Sequence, residues 1–492
     1  DVQGDWVTVR DLTLTGGNMG IWVHNSSQNF QGDRLVLRNN TQDGIRLESD
    51  ADYSTLGVLT IHHNGRYGAY IATPIGELRN GEIHDNGDDG VYLTNAGNIE
   101  VSGNTIYRNR TGVYIGGRSG SQAIVQDNTV YENAVHGIHG SYMLAQRNAV
   151  HGNDDDGIQA SYNCLVSGNV CHSNGSIGIR LYSGNEAVGN VVHNNAGSGI
   201  LAENGDVIRE NRCYANGGTA GIVAYRDSEI TGNVVYSNVT GIYGYGSSSP
   251  RFRGRVANNL IYDNAEFGIQ IRYAHSSSGL HARVVNNTVH QGVGDAVYVH
   301  TSSEDVDLRN NILWVEDGAC IRVSSTSQVG FSSDHNLFHT VGAGIVANWQ
   351  GSDRATLTAW QNTAFRDGNS VQGDPLFVDL PGRDFHLKSE HGSLHDGSLA
   401  PVLSGDTGMP VDASGTWVDN DGVTSLAIDL GDPSDRFDRE PEHSGNFINL
   451  GAYGNTVQAS KSPEQYVRVL SPDGAEVWPA GQPFSIRWRS HD

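Results

Sequence analysis

The chain has 492 residues, of which 63 are glycine and 12 proline, and its 31 basic and 55 acidic side chains give a formal net charge of −24. This glycine content argues against a helical bundle and for a chain that turns often. The acidic balance excludes broad binding of phosphate backbones, so nucleic acid is not an expected partner, and no apolar run reaches the roughly 18 residues of a membrane span.

A repeat of about 21 residues runs through the first two thirds of the chain. Each copy reads N-x-[IV]-[YH]-x-N and then reaches a Gly followed by a β-branched residue; copies begin at Asn104, Asn128, Asn148, Asn169, Asn190, Asn211 and Asn233, with looser ones at Asn259 and Asn287. Short β-branched runs alternate with Asn/Gly corners, and no helical period connects them. Because such a unit cannot bury its apolar side alone, the copies must stack at about 4.8 Å, which predicts an all-β parallel solenoid.

The alignment also predicts which positions stack. One ladder should point inward, with its cysteines acting as small apolar packers rather than reactive thiols: Ile106, Val130, Val150, Cys171, Val192, Cys213, Val235, Ile261 and Val289. A second set falls at corners, where we expect left-handed backbone and hydrogen bonds between stacked amides: Asn109, Asn133, Asn153, Asn174, Asn195, Asn216, Asn238 and Asn264.

These N-x-[IV]-[YH]-x-N-x-x-x-G-[IV] coils, over roughly residues 1–345, resemble the right-handed parallel β-helix proteins of the pectate-lyase-like superfamily. That superfamily includes carbohydrate-binding and sugar-hydrolase repeat domains, polysaccharide lyases and mannuronan C5-epimerases. The resemblance implies the fold more strongly than an activity, and the sequence lacks the DPH-type signature of the better-known mannuronan epimerases.

After the last clear coil the pattern changes. We expect irregular final coils and a cap at 346–456, a linker at 457–466, and at 467–492 the start of a truncated β-sandwich with Trp478 and Trp488 as core candidates. Further domains of the same polypeptide are expected beyond residue 492, and the setting is expected to be secreted or cell-surface.

The last strand of each coil carries the most informative stripe. Alternation sends its first β-branched residue inward and the next residue outward. The outward positions are rich in Tyr, Arg and His: Trp22, His24, Arg46, Glu48, Tyr70, Tyr92, Tyr114, His139, Ser141, Gln159, Ser161, Arg180, Tyr182, Leu201, Glu203, Val223, Tyr225, Tyr243, Tyr245, Gln270, Arg272, Tyr298, His300 and Arg322.

Tyr rings stack on sugar faces and Arg forks grip carboxylates, so the stripe predicts a groove for an extended acidic polysaccharide. The alternative is that stacked Tyr residues only stiffen the solenoid. The candidate substrate-binding residues are Tyr114, Tyr142, Tyr162, Glu203, Tyr225, Arg226, Tyr243 and Arg272.

Uronate chemistry by proton abstraction needs a base, a group that neutralises the substrate carboxylate, and an acid. His139, Arg180 and Tyr182 supply these three types and are expected on neighbouring coils, within side-chain reach of one another. The outcome is lyase cleavage or C5 epimerisation, which the sequence does not separate. The opposing interpretation makes His139 a hydrogen-bonded surface histidine. As outward residues, His139 and Arg180 are expected to contribute little to stability.

Other functions remain as alternatives. A glycoside hydrolase would use Glu203 with Asp206 or Asp227 as its carboxylate pair, and a non-catalytic stalk or adhesin would need none of them. No metal or other cofactor is indicated: corner carboxylates such as Asp88, Asp89, Asp154, Asp155 and Asp156 are expected to form turns, with calcium as the alternative. A second outward ladder contains His151, His172 and His193, for which a transition metal is the minor alternative.

Overall fold

The computed structural model describes residues 1–277, 279–442, 445–463, 465–471, 481, 483 and 485–491. Trp478 lies outside the described residues. The chain forms two compact units, an N-terminal unit (Asp1–Tyr245 with Ala400–Asp412) and a C-terminal unit (Gly246–Leu399 with Ala413–Asp492).

In the N-terminal unit every coil contributes one short strand to each of three parallel sheets, so the predicted all-β solenoid is confirmed. Sheet I contains Thr8–Arg10, Gln31–Asp33, Ser54–Gly57, Ile75–Arg79, Asn98–Ser102, Ala123–Gln126, Met143–Gln146, Leu165–Ser167, Glu186–Val188, Val207–Arg209 and Glu229–Thr231. Sheet II contains Thr13–Thr15, Val36–Arg38, Thr60–His62, Glu82–His84, Thr105–Tyr107, Thr129–Tyr131, Ala149–His151, Val170–His172, Val191–His193, Arg212–Tyr214 and Val234–Tyr236. Sheet III contains Ile21–Val23, Ile45–Leu47, Ala69–Ile71, Val91–Ala96, Val113–Gly117, Ile138–Gly140, Ile158–Tyr162, Ile179–Ser183, Ile200–Ala202, Ala220–Tyr225 and Thr240–Tyr245. A small antiparallel pair, Val402–Leu403 and Pro410–Val411, belongs to the same unit.

The C-terminal unit has the same three-sheet plan and then becomes irregular. Its parallel strands are Arg255–Ala257, Arg283–Val285, Asp307–Arg309 and Ser332–Asp334 in sheet I; Leu260–Tyr262, Thr288–Gln291, Ile312–Val315, Leu337–Thr340 and Val371–Gln372 in sheet II; and Phe267–Arg272, Asp295–His300, Ala319–Val323 and Ile345–Trp349 in sheet III. Antiparallel pairing begins where Ser352–Arg354 joins Ile345–Trp349, and the helix Leu357–Ala364 follows with Thr356 as its N-cap. Three further antiparallel pairs are Phe377–Asp379 with Asp384–Leu387, Ser393–His395 with Thr416–Val418, and Tyr466–Ser471 with Arg487–His491.

Two features of the C-terminal unit bear on the sequence expectations for residues 457–492. Ala459, Ser460 and Ser462 in the expected linker are buried. Trp488, an expected core residue, is 61% exposed. In the described part of the chain, no helix has the length and apolarity needed to cross a membrane.

The interior is the predicted apolar ladder. All nine predicted inward residues, including Cys171 and Cys213, are fully buried. Burial raises the pKa of both thiols far above the ordinary value, so neither is a ready nucleophile. The prediction that these cysteines act as packing residues is therefore confirmed.

Asparagine amides form two buried ladders that flank sheet II of the N-terminal unit. In a typical rung the backbone N–H and the Nδ2 of Asn128 both donate to Oδ1 of Asn148, each at 3.0 Å, and Nδ2 also donates to the Val101 carbonyl at 2.8 Å. The ladder before sheet II comprises Asn104, Asn128, Asn148, Asn169, Asn190, Asn211 and Asn233, and the one after it Asn40, Asn64, Asn86, Asn109, Asn133, Asn153, Asn174, Asn195, Asn216 and Asn238. The predicted hydrogen bonding between stacked amides is confirmed.

The predicted left-handed backbone at these asparagines is wrong by one residue. Positive φ occurs at the residue before each asparagine, as at Arg108 (51°), Glu132 (53°) and Ser173 (55°). The left-handed residue turns the chain through the corner, and the asparagine that follows can then direct its amide into the interior. Glycine occupies the same place at Gly103 and Gly168.

Asn169→Ala is expected to lower the free energy of unfolding by about 3 kcal/mol, since it removes the partners of several buried polar groups. Asn169 Nδ2 donates to the Ala145 carbonyl at 2.8 Å, and Oδ1 accepts from Asn148. Urea unfolding followed by circular dichroism measures the loss. Asn98→Ala, on an exposed position of sheet I, is the control and should change stability by less than about 0.5 kcal/mol; equal losses for the two variants would contradict the role given to the ladder.

Candidate functional site

The outward positions of sheet III in the N-terminal unit form one register, as predicted. Consecutive strands pair in the order Trp22, Arg46, Tyr70, Tyr92, Tyr114, His139, Gln159, Arg180, Leu201, Val223 and Tyr243. We call this row and the residues beside it the sheet III face. Because parallel strands lie about 4.8 Å apart, the face presents one side chain per rung along a line.

The first half of the sheet III face is an aromatic platform. The Tyr70, Tyr92 and Tyr114 rings stack in series, with centroids 5.6 Å and 4.9 Å apart. The Arg46 guanidinium lies 3.8 Å from the Tyr70 ring centroid and also pairs with Glu48 and Asp43. These three rings are half-buried, so their edges and hydroxyls reach solvent.

His139 ends this platform. Its ring packs edge-on against Tyr114 at 5.3 Å and against His136 at 5.0 Å. Burial, together with the neighbouring imidazole of His136, lowers the pKa of His139 to about 4. The side chain is therefore neutral at pH 7, with the protonation state of a proton acceptor but a weaker basicity than the sequence argument assumed.

Arg180 is already paired within the protein. Its Nε donates to Oδ2 of Asp156 at 2.6 Å and its Nη2 to Oδ1 at 3.3 Å, while Oδ1 also accepts from the Ile177 N–H at 2.9 Å. Burial tends to raise the pKa of Asp156, but the guanidinium and the backbone donor outweigh it and the pKa is lowered. Asp156 therefore binds a backbone N–H and an arginine of the next coil, and Arg180 neutralises it.

We call this arrangement a clasp: a buried aspartate accepts hydrogen bonds from a backbone N–H and from an arginine of the next coil. The same clasp recurs in the C-terminal unit. Asp295 Oδ1 accepts from the Ala319 N–H at 2.8 Å and from Arg322 Nη2 at 3.0 Å. In both cases the aspartate accepts a hydrogen bond from a backbone N–H of the next coil, and an outward arginine of that coil pairs with the carboxylate. The expectation that Arg180 contributes little to stability is wrong, because its partner Asp156 is buried.

Tyr182 lies outward on the same strand as Arg180, and Gln159 from the preceding coil holds it. Gln159 Nε2 donates to the Tyr182 hydroxyl oxygen at 2.8 Å. Since that bond occupies an acceptor site of the phenol, its own proton is left to be donated elsewhere. Gln159 Oε1 is buried and has no hydrogen-bond partner among the described residues.

The three predicted catalytic residues are not on adjacent rungs. Gln159 pairs with His139 on one side and with Arg180 on the other, which puts the Cα atoms of His139 and Arg180 about 10 Å apart. The sequence predicted neighbouring coils, so this part of the expectation is corrected. The gap is about twice the spacing of neighbouring strands.

The rungs beyond Arg180 hold a carboxylate and a second guanidinium. Burial raises the pKa of Glu203, against the opposing charge of Arg180. Arg226 donates from Nη1 to Asn204 Oδ1 at 3.3 Å and has no carboxylate partner within the described residues. Arg226 is therefore better placed than Arg180 to accept a ligand carboxylate.

Asp206 does not serve as a hydrolytic partner for Glu203. It is fully buried and accepts the backbone N–H groups of Asn185, Glu203 and Asn204 at 2.9, 3.0 and 3.1 Å. Its carboxylate therefore has a structural role, because it satisfies these backbone donors. The other predicted partner, Asp227, is exposed.

The remaining predicted binding residues are spread over several environments. Tyr225 is outward and half-buried, with its ring 4.8 Å from Tyr245, whereas Tyr243 is only 7% exposed because it packs with Ala220 and Val223. Tyr142 lies at the corner after the strand Ile138–Gly140, and Tyr162 ends the strand Ile158–Tyr162 and is 55% exposed. Arg272 belongs to the C-terminal unit, with its guanidinium over the Tyr273 ring.

Sheet II carries the second ladder, which sequence reasoning also found. Nine rings stack nearly parallel, with neighbouring centroids 4.7–5.2 Å apart: His62, His84, Tyr107, Tyr131, His151, His172, His193, Tyr214 and Tyr236. Burial and the flanking imidazoles lower the pKa of His172 to about 4. Parallel rings at this spacing do not converge on one ion, which disfavours a metal there.

One group of potential metal ligands lies beside the sheet III face. Donor atoms of His136, Asp155 and Asp156 lie within 4.8 Å of one another. However, Arg180 lies 2.6 Å from Asp156 Oδ2, and a guanidinium so close opposes a second cation. The arrangement therefore disfavours calcium at this corner.

Comparisons with known proteins identify the repeat. The family described as "Right handed beta helix region" matches residues 3–142, 139–211 and 204–338. The uncharacterized protein YwoF of Bacillus subtilis (strain 168) is 26% identical over 176 residues, which span 33% of this chain and only 37% of that protein.

Three solved structures are similar in part. Pectate lyase Pel9A has a TM-score of 0.40 at 14% identity, covering 79% of this chain and 87% of its own. The periplasmic alginate epimerase AlgG has 0.35 at 15%, covering 57% and 76%, and the A-module of the Azotobacter vinelandii mannuronan C-5 epimerase AlgE4 has 0.34 at 14%, covering 70% and 86%. At these values the likenesses assign neither a substrate nor a reaction to this chain.

Arg180→Met and Arg322→Met are each expected to lower the free energy of unfolding by about 2 kcal/mol, because each leaves a buried carboxylate uncompensated while the lost guanidinium was partly exposed. Urea unfolding measures both. The control Arg226→Met removes an arginine that lacks a carboxylate partner, and it should change stability by less than about 0.5 kcal/mol. If Arg180→Met behaved like Arg226→Met, the clasp would not be structural.

Proposed function

This chain belongs to the right-handed β-helix family, and we propose that it is a polysaccharide-active protein that binds an extended acidic glycan along the sheet III face of its N-terminal unit. It acts on a uronate unit of that glycan by abstracting the C5 proton, as a lyase or as a C5-epimerase. The expected setting is secreted or cell-surface.

The observation that carries the proposal is the composition of the face rung by rung. An aromatic platform ending at Tyr114 leads to a neutral imidazole at His139, two rungs later to Arg180 and Tyr182, and one rung further to Glu203. Stacked phenols suit the apolar faces of sugar rings, and a row of sites about 4.8 Å apart suits a linear polymer. Arg226, without a carboxylate of its own among the described residues, supplies the guanidinium for a uronate carboxylate.

The chemistry follows from the roles that these groups can take. His139 accepts the C5 proton, and the negative charge that develops on the uronate carboxylate is stabilised by the Arg180 guanidinium, two rungs away. Arg226, four rungs from His139, binds the carboxylate of another uronate unit along the glycan. Tyr182 donates its phenolic proton. In a lyase the proton goes to the leaving oxygen while the C4–O bond breaks and a C4=C5 double bond forms; in an epimerase it goes to C5 from the opposite face, and no bond of the chain is broken.

A non-catalytic stalk or adhesin is the second candidate, and a specific observation favours it. His139 is packed between Tyr114 and His136, and Arg180 is paired with Asp156. Groups with such internal partners are also expected in a rigid scaffold that binds glycans without reacting with them. Hydrolysis is less favoured, since the Asp206 carboxylate is consumed by backbone donors.

The test is turnover of polymannuronate, polyguluronate and polygalacturonate. Absorbance of the unsaturated uronate reports lyase action, and exchange of the C5 proton in heavy water, followed by NMR, reports epimerisation. His139→Asn should lower turnover by about 100-fold or more. His193→Asn, a half-buried stacked histidine on sheet II, is the matched control and should leave turnover unchanged. Binding without turnover in the unsubstituted protein would support the scaffold instead, and the absence of binding would reject both.

The pH dependence gives an independent check on His139. Its imidazole must be neutral to accept a proton, and its pKa is lowered to about 4, so turnover should persist well below pH 6.5 and fall only near pH 4. The measurement is kcat/KM, obtained at low substrate concentration, as a function of pH across the acidic range. An acidic limb at the ordinary histidine pKa of about 6.5 would assign the base to another group.

A further inference from the structure

An open cleft of about 540 Å³ lies on sheet III of the C-terminal unit. It is lined from the strands Phe267–Arg272, Asp295–His300 and Ala319–Val323 and from the turns that precede them. Its volume falls within the roughly 300–1,000 Å³ of small-molecule sites. No candidate catalytic residue of the N-terminal unit belongs to it.

One wall of the cleft is aromatic. The Phe267 and Tyr298 rings stack with centroids 5.2 Å apart, and Tyr298 also stacks on His300 at 4.4 Å. The rings of Phe267 and Tyr298 both line the cleft and are half-buried. Such a wall offers apolar contact to a sugar face and an attractive quadrupole to a cation.

Two of the residues that line the cleft are glycines with left-handed backbone. Gly294 has φ +81° and Gly318 has φ +129°. A Cβ would lie 1.9 Å from the Glu266 carbonyl oxygen at Gly294, and 2.2 Å from the Gly294 carbonyl oxygen at Gly318. Glycine at both positions therefore allows successive coils to approach closely along the edge of the cleft.

The charges of the cleft favour a cation. Its one guanidinium, Arg322, is neutralised by the buried Asp295. The carboxylates of Glu266 and Asp317, at exposed positions of the lining, have neither a hydrogen-bond nor an ion-pair partner among the described residues. The lining thus carries two uncompensated negative charges, the opposite of what a polyuronate needs.

We infer that this cleft binds an amino-sugar unit of a cationic oligosaccharide. The pyranose ring packs on Phe267 and Tyr298, and its ammonium group lies between the carboxylates of Glu266 and Asp317. This combination of an aromatic face and two acids is selective for a protonated amine over the neutral N-acetyl group, which has lost the charge that the acids attract. The site goes beyond the proposed function, because it takes a ligand of opposite charge on different coils.

The experiment is calorimetric titration of the full chain with a tetrasaccharide of glucosamine, compared with the N-acetylated tetrasaccharide and with a tetragalacturonate. Binding of the glucosamine oligomer is expected, at least about tenfold tighter than that of the acetylated form. Glu266→Gln with Asp317→Asn should weaken it by about tenfold or more, and Tyr298→Ala should weaken both amino and acetylated ligands.

The control double variant makes the same change in net charge at positions outside the cleft. Glu132→Gln with Asp406→Asn removes two exposed carboxylates from the N-terminal unit, so long-range attraction falls equally while the cleft is intact. Binding that falls equally in the two double variants, equal affinity for the amino and acetylated ligands, or no binding of the glucosamine oligomer would each overturn the inference. Tetragalacturonate binding is measured in a separate titration, in the unsubstituted protein and in Arg226→Met. Failure of the uronate proposal is thereby distinguishable from failure of this inference.

Discussion

The buried asparagine ladders impose the constraint on which the rest of the structure depends. Each coil turns at corners where the backbone polar groups face inward, and those groups must be satisfied inside the solenoid. The amide of Asn148 meets this need for Asn128, and Asn169 does the same for Asn148, at 2.9–3.0 Å throughout. A slip by one residue would leave both amides unsatisfied, so the register is the same on every rung.

A uniform register means that each surface position becomes a ladder of its own. The same rule gives the nine stacked rings on sheet II and the Tyr70–Tyr92–Tyr114 platform on sheet III. Stacking also changes chemistry: rings packed against rings lose water, and the pKa values of His139 and His172 both fall to about 4 for that reason. A histidine placed in such a ladder is thereby kept neutral across the physiological range.

Charged groups on these surfaces divide into those with a partner and those without one. The pairs Asp156–Arg180 and Asp295–Arg322 belong to one structural device that caps the next coil. Arg226 in the N-terminal unit and Glu266 and Asp317 in the C-terminal unit fall outside it, and none of the three forms an ion pair within the described residues, although the charge of Arg226 acts on Glu203. The two surfaces therefore differ in the sign of the ligand they favour, although the backbone that presents them is the same.

The sequence alone determined the solenoid, the inward ladder through Cys171 and Cys213, and the two outward rows, because a repeat of about 21 residues with period-two strands allows only one stacked register. It placed the left-handed backbone on the corner asparagines instead of one residue earlier, since local preference does not say which residue turns and which points inward. Only the tertiary structure decided the surroundings of the functional candidates. Arg180 is paired with Asp156 of the preceding coil, Asp206 accepts hydrogen bonds from backbone N–H groups, and Tyr243 is buried. Those outcomes depend on side-chain reach between coils that are some 20 residues apart, and no pattern along one strand encodes that distance.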